Sequence, residues 1–514
     1  MSLSPTVSSS NNMTTEKVEQ AEDISANQAL AQLGYAAELP RNMSMLSILG
    51  LSFAIMSVPL GISTTMYISL TDGQSVTALY GWILVSLVSL CTAASLAEIC
   101  AVYPTAGGVY YWSAILSTRR WAPLVSWIDG WLTLVGNWTA ALSINFSGAQ
   151  VILSAITLWD EHYVPTAWQT VLTFWALTLI CVLINMLGTR FLDALNQVCV
   201  YWTVASVVII MVTVLTMADH RRSADFVFAH YDASASGWPS GWAFFVGLLQ
   251  GAYTLIGYGM VASMCEEVPN PQREVPKGLV LSVLAAGITG LCFLIPILFV
   301  LPDVSELLSV ANGQPIGLLF KTVTGSAGGG FGLLFLLLGV LLFAGVGAVT
   351  AASRCTYAFA RDKAIPGHHI WSHVSKRLDV PVWALILTAV VNALLACIYF
   401  GSSAAFNSFT GVCTICLSTS YGLPVFVSVI RGRRAVAHSP FSLGRFGLLI
   451  NMICIVWIAF SIIIFCMPVA LPVNGSSMNY ASVVFAGFAS ISVIWYVCYG
   501  RKHFHGPPIL EEDL

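Results

Sequence analysis

Apolar runs about 20 residues or more in length, separated by short polar breaks, recur twelve times along the chain. The hydrocarbon core of a bilayer, about 30 Å thick, is crossed by about 20 helical residues rising about 1.5 Å each, so every run can span a membrane as a helix. The runs cover residues 45–69, 77–101, 123–155, 166–186, 194–217, 240–263, 277–301, 330–357, 382–400, 404–429, 446–468 and 480–500. The third and eighth exceed one crossing, which leaves room for tilt. In lipid a helix pairs its backbone polar groups within one segment, and the pattern therefore predicts an all-α, polytopic membrane protein with 12 transmembrane helices.

Composition sharpens this picture. Hydrophobic residues make up 57% of the 514 and charged residues 9%, against about 25% charged in soluble domains. The net charge of -3 is spread over loops of mixed sign. No basic patch results, so a nucleic-acid partner is not expected and the lipid bilayer is. Lys and Arg accumulate in short cytoplasmic loops. With the first residues inside, all 21 Lys and Arg except Arg221, Arg222 and Lys321 fall on the cytoplasmic side, which predicts cytosolic termini. Residues 1–44 lack the apolar core and basic start of a cleaved signal and read as a disordered cytosolic tail; residues 501–514 read as a second tail.

Several chemistries are disfavoured. Most of the 13 cysteines lie within apolar runs, where a thiol acts as a small hydrophobe, so no disulfide framework is expected. Cys413 and Cys416 have redox-motif spacing but sit inside a membrane run. All nine histidines fall in loops or the last residues, which argues against a membrane haem. His368, His369 and His373 read as a solvated basic loop rather than a metal site. No Gly-Lys dipeptide occurs, so no phosphate-binding loop for ATP-driven pumping is present. No cofactor, metal or enzymatic activity is expected.

Two runs are interrupted. The first carries Ser57, Pro59, Gly61, Ser63 and Thr64 near its middle, and the sixth carries Gly257, Tyr258 and Gly259. Proline removes a backbone donor and glycine lowers the cost of leaving helical angles. Loose backbone at membrane depth is tolerated where it lines a cavity, and paired interruptions mark the binding sites of secondary transporters. The competing reading is ordinary packing, since Gly and Pro are common in membrane helices. As a binding site, the first interruption offers backbone N–H groups to a carboxylate, and Tyr253 and Tyr258, with Trp131 and Trp138, offer π faces to an ammonium. Asn137 faces either the pocket or a neighbouring helix. No carboxylate is placed at the bilayer centre; Glu98, Asp129 and Glu266 lie near span ends. Glu98 is read either as a proton relay or as an inner gate paired with Arg354 or Arg361. Asn474-Gly-Ser is the one glycosylation pattern expected outside.

Three stretches resemble one family. Ser95 to Trp112, Ser-Leu-Ala-Glu-Ile-Cys-Ala-Val-Tyr-Pro-Thr-Ala-Gly-Gly-Val-Tyr-Tyr-Trp, resembles the second-helix signature of the amino acid-polyamine-organocation superfamily, in its fungal amino acid/choline transporter branch. Glu266 to Lys277 and Ser353 to Gly367 are similar to the loops after that family's sixth and eighth helices. The resemblance implies a leucine-transporter-type 5+5 inverted repeat with discontinuous helices 1 and 6. The repeats would cover residues 45–217 and 218–429, with helices 11 and 12 in 430–500. It further implies alternating access, usually in symport with protons, and a small solute: an amino acid, 4-aminobutyrate or a choline-like amine. Many branch members look like Gly-Phe-Asp where this chain has Gly257-Tyr258-Gly259, which removes a carboxylate from the interruption. A plasma-membrane location is expected, with a vacuolar or other organelle membrane as the alternative. Export or organelle loading of a related metabolite, or a non-transporting nutrient sensor, are the rival functions.

Overall fold

The computed structural model describes residues 41–508 except 42, 161, 188, 311–313, 402–407 and 474–477, together with residues 27, 30, 31 and 33–35. Twelve helices are long and apolar enough to cross a membrane. They are α1 Met45–Thr71, α2 Gln74–Cys100, α3 Ala122–Leu158, α4 Ala167–Met186, α5 Leu192–Met217 and α6 Ser240–Glu267. The others are α7 Pro271–Phe299, α8 Ala327–Arg361, α9 Val382–Phe400, α10 Phe409–Ile430, α11 Gly444–Ile464 and α12 Ala481–His503. Each coincides with one of the twelve apolar runs. Among the described residues there is no strand, and Ser375 and Val380 form an isolated bridge.

Local chemistry sets the ends. Ser44 caps α1, its side chain accepting from the Ser47 N–H, and Ser326 caps α8 through the Gly329 N–H. Within the spans, hydroxyls turn back onto their own helices, as Thr133 Oγ1 does to the Asp129 carbonyl at 2.7 Å, so a polar side chain at membrane depth is satisfied locally. The outer helices present Leu183, Val208, Val456 and Ile494 outward. Apolar surface on that scale requires lipid rather than water. The chain is an integral, multi-pass membrane protein.

In α1 and α6, 83% of the most apolar stretch is buried, against 11% in α12, which puts the two interrupted helices at the centre of the bundle. One expectation changes at the start of the chain. Leu30, Leu33 and Tyr35, placed by the sequence reading in a disordered tail, are buried against the bundle. Two apolar residues and a tyrosine within six positions are enough to dock a short segment, a signal diluted by the polar composition around it.

Candidate functional site

α1 is two helices, Met45–Met56 and Val58–Thr71, joined at Ser57 in the left-handed region at φ 39° and ψ 49°. For an L-residue that conformation costs about 1–2 kcal/mol. The joint residue is itself satisfied, its N–H donating to Phe53 O and its carbonyl accepting from Gly61 N, both at 2.9 Å. Left over are the last carbonyls of the first half and the first N–H groups of the second. Pro59 sits in the first turn of the second half, where a missing N–H costs nothing. The interruption is therefore one residue long, not the stretch from Ser57 to Thr65 that the sequence suggests. Ser63 and Thr64 are helical, and their hydroxyls bond back to Pro59 O at 2.6 Å and Gly61 O at 3.3 Å.

α6 departs differently. Ser240–Gly247 and Leu249–Leu255 are α-helical, and the twelve residues Ile256–Glu267 are a 3-10 helix. Runs of 3-10 geometry beyond about 3–4 residues are uncommon and mark hinges. Gly257, Tyr258 and Gly259, expected to be unwound, instead open this tighter helix. The reason is solvation: a 3-10 ladder keeps peptide groups paired at a depth where an open loop would orphan them. Two side-chain bonds tie the region in place, Gln250 Nε2 to Ile62 O at 3.0 Å and the Tyr421 hydroxyl to Ile256 O at 3.1 Å.

Between the α1 joint and the α6 transition lies a cavity of about 20 Å³, room for about one water. Its walls include Ser57, Gly61 and Thr64 of α1, Tyr253, Thr254 and Gly257 of α6, Ile144 and Ser147 of α3, and Cys413 of α10. Among the described residues no charged side chain lines it. The glycines set the approach: a Cβ on Gly61 would lie 2.6 Å from Thr254 Cγ2, and one on Gly257 2.6 Å from Ile55 Cγ2. Tyr253 donates to Ser143 Oγ at 2.9 Å, fixing α6 against α3.

Of the residues expected in the site, Ser57, Gly61, Thr64, Tyr253 and Gly257 line the cavity. Pro59, Ser63, Asn137, Trp138, Tyr258 and Gly259 do not. Asn137 donates to Thr133 O of its own helix at 2.8 Å, and Trp138 Nε1 donates to Thr356 Oγ1 of α8 at 3.0 Å. Tyr258 packs against Tyr421 with ring centroids 5.3 Å apart, and Gly259 lies against that same Tyr421 ring. Thr254, Ile144, Ser147 and Cys413 were not anticipated. Ala140, Ile144 and Ser147 share one face of α3 by their 4- and 3-residue spacing, a signal the sequence carries without saying which neighbour that face meets.

The far end of the 3-10 run holds a set of ion pairs. Glu267 accepts from Arg354 Nε at 2.9 Å, both side chains being buried, and Glu266 pairs with both terminal nitrogens of Arg361 at 3.0 and 3.1 Å. Glu266 also accepts from the Ala106 N–H at 3.1 Å. Glu98 meets neither Arg354 nor Arg361: its carboxylate pairs with Arg433 at 2.5 Å and accepts from Leu443 N at 3.0 Å. Asp129 is buried in α3, one oxygen accepting from the Ser113 hydroxyl and the other without a partner among the described residues. Next to Arg361, Asp362 accepts from Tyr110 at 2.8 Å and Tyr35 at 3.0 Å. Burial pushes Asp362 up to about 6, against the opposing pull of Arg361 and the two phenols. The Arg361 guanidinium lies 4.0 Å over the Tyr35 ring, so the docked segment before α1 caps this network.

The amino acid permease family pattern matches residues 44–488. The chain belongs to the amino acid permease family. The permease is 33% identical over 492 residues to the amino-acid permease BAT1 of Arabidopsis thaliana, covering 93% of this chain and 95% of that one. It is 32% identical to the polyamine transporter TPO5 of Saccharomyces cerevisiae, covering 96% of this chain and 81% of that one. It is 30% identical to the choline transporter of the same yeast, over 97% and 88% of the two chains. The similar proteins are thus amino-acid, polyamine and choline transporters.

The permease carries one acid that the sequence reading passed over. Asp72, between α1 and α2, is fully buried, and neither carboxylate oxygen meets hydrogen-bond geometry. Burial pushes it up to about 8, the Ser236 hydroxyl offsetting this only in part. An acid directly after an apolar span, followed by Gly73 at φ 124°, was the available signal. Among the described residues no group of three or more His, Cys, Asp or Glu is placed to hold a metal ion. Asn474, the expected glycosylation site, lies outside the described residues.

Proposed function

We propose that this permease moves a small amino acid, 4-aminobutyrate included, through the space between the α1 joint and the α6 transition, by alternating access. One observation carries the choice among the relatives' solutes: among the described residues no charged side chain lines the central cavity. A polyamine with several ammonium groups would need fixed counter-charges there, and a choline-like cation would want an aromatic cage where, among the described residues, Tyr253 is the one aromatic. A zwitterion needs neither. Its carboxylate is matched by the N–H groups that open Val58–Thr71, where Ser57 makes no side-chain cap, and its ammonium by the last carbonyls of Met45–Met56.

The 3-10 run supplies the movement. Twelve residues rising about 2.0 Å each extend about 24 Å, whereas as an α-helix they would extend about 18 Å. Relaxing even part of the run toward α geometry draws Glu266 and Glu267 away from Arg361 and Arg354 and opens the end those pairs close. The interrupted helices stand five spans apart, which supports two inverted five-helix repeats over residues 45–217 and 218–429. The clustering of Arg354, Arg361 and Arg433 at the paired end supports a cytosolic placement of that end. For proton symport we assign the external acceptor to Asp72, a buried acid that forms no ion pair among the described residues, at the opposite end of α1.

The test is uptake of radiolabelled 4-aminobutyrate, proline, arginine, spermidine and choline into permease-deficient cells at two external pH values. Uptake of a zwitterion, faster at the lower pH, supports the proposal; uptake of spermidine alone contradicts it.

A further inference from the structure

A second cavity, about 660 Å³, lies between the α2–α3 connection and the turn after α10. It falls within the range of about 300–1,000 Å³ typical of small-molecule sites, and it shares no lining residue with the central cavity. Its polar walls are Tyr103, Ser428, Arg431 and Arg434, and among the described residues no carboxylate lines it.

The two arginines stand apart from their neighbours. Arg354, Arg361 and Arg433 each meet a carboxylate, whereas among the described residues Arg431 and Arg434 form no ion pair. Arg433 lies between them in sequence but turns away to Glu98. Arg431 is anchored through Nη1, which donates to Ser117 O at 2.8 Å and Leu116 O at 3.4 Å. A guanidinium has five N–H donors in a rigid fork, so that anchor leaves others available. Ser428 is 2% exposed and its hydroxyl has no partner among the described residues. A buried hydroxyl beside uncompensated positive charge is relieved by a ligand that brings anionic acceptor oxygens.

Depth narrows the ligand. Ile430, which lines the cavity, is the last residue of α10 and is 67% exposed; Arg431 is the first residue beyond the span. The cavity therefore straddles the boundary between acyl chains and headgroups, the level at which basic pockets between membrane helices take phosphorylated lipids.

We propose that this cavity binds the phosphate of an anionic phospholipid headgroup, with Arg431 and Arg434 facing the phosphate oxygens, Ser428 donating to one of them, and an acyl chain lying along Ile430. A free phosphate would use the polar wall but leave Ile430 uncovered.

The experiment measures binding of dioctanoyl phosphatidylinositol 4-phosphate to the purified full-length permease by native mass spectrometry, with inositol 1,4-bisphosphate and inorganic phosphate as soluble comparators. R434Q and S428A change the cavity without touching the Arg431 anchor. R445Q removes a guanidinium that stacks 4.8 Å over Phe446 and does not line the cavity. Thermal midpoints of the lipid-free variants verify folding. The expected result is a loss of about tenfold in lipid affinity for R434Q, about threefold for S428A and less than about twofold for R445Q, with both soluble anions about tenfold or more weaker than the lipid. Unchanged lipid binding by R434Q, or an equal loss in R445Q, would overturn the site. Soluble anions binding as tightly as the lipid would overturn the lipid as its occupant.

Discussion

In α1 the departure from α-helical geometry is confined to Ser57, whereas in α6 it extends through the twelve residues Ile256–Glu267. The first is a point joint between two ordinary half-helices. The second is a continuous segment wound more tightly than its surroundings, with the cavity at one end and two ion pairs at the other. The contrast teaches that two interruptions at matching positions need not do the same work. A joint exposes peptide ends at a fixed place. A 3-10 run stores length, and it links the central cavity to the ion-paired end of the bundle through one element.

The largest effect is expected at the anchor of the long run. Arg354→Gln leaves Glu267 buried without its partner, a loss of about 3–5 kcal/mol. It should lower the thermal midpoint by several degrees, and adding Glu267→Gln should restore most of the loss. No recovery in the double variant would mean the pair does not hold the run. Next is the contact between the two interruptions. Gly257→Val places carbon where Ile55 Cγ2 stands 2.6 Å from a Cβ, and overpacking of about 1–3 kcal/mol should cut uptake about 10- to 100-fold at normal surface expression. Gly287→Ala, whose Cβ would meet Ser86 at an easier 3.3 Å, is the control expected to transport normally.

Asp72 sharpens the comparison at the far end of α1. Its folded value of about 8 lies above the usual carboxylate value of 3.8, so between those values the folded state holds a proton that the unfolded state has lost. Stability should therefore fall as pH rises through that window, by at most about 1.4 kcal/mol per pH unit from this group, and Asp72→Asn should flatten the dependence. A slope unchanged in Asp72→Asn would remove the acid from the account. The smallest effect is at the joint. Ser57→Gly relieves a left-handed serine and should raise the thermal midpoint slightly, by about 1 kcal/mol or less, whereas Ser57→Val should lower it. Equal stability of the two variants would show that the joint carries no strain.

The twelve spans were legible because bilayer thickness sets a length that any apolar run reveals. The positions of the two interruptions were legible from Pro59 and Gly257, but not their form. Proline is equally at home in the first turn of a helix as at a break, and glycine permits a 3-10 turn as readily as an open one. Side-chain roles were the least readable. Tyr258 stood inside the motif yet packs on Tyr421, because three-residue winding turns a side chain about 120° per position instead of about 100°; Trp138, on the ordinary α-helix of α3, bonds to α8, a neighbour that no local pattern names. Glu98 reads from the sequence either as a proton relay or as a gate paired with Arg354 or Arg361, and in the structure it pairs with Arg433, 335 positions away, a partner chosen by the α10–α11 turn rather than by any local pattern. Asp72 escaped notice because a loop acid next to a span is ordinary until its burial is known.

Cys413 gives direct access to the central claim, since it lines the cavity from α10, while Cys454 of α11 is buried outside it. The measurement is the rate at which a small methanethiosulfonate reagent modifies Cys413 in membranes, in a permease whose exposed Cys292, Cys397 and Cys498 are replaced by serine. A transported amino acid should slow modification of Cys413 several-fold and leave Cys454 unaffected. An identical Cys413 rate with and without that solute would contradict a solute site between the two interruptions.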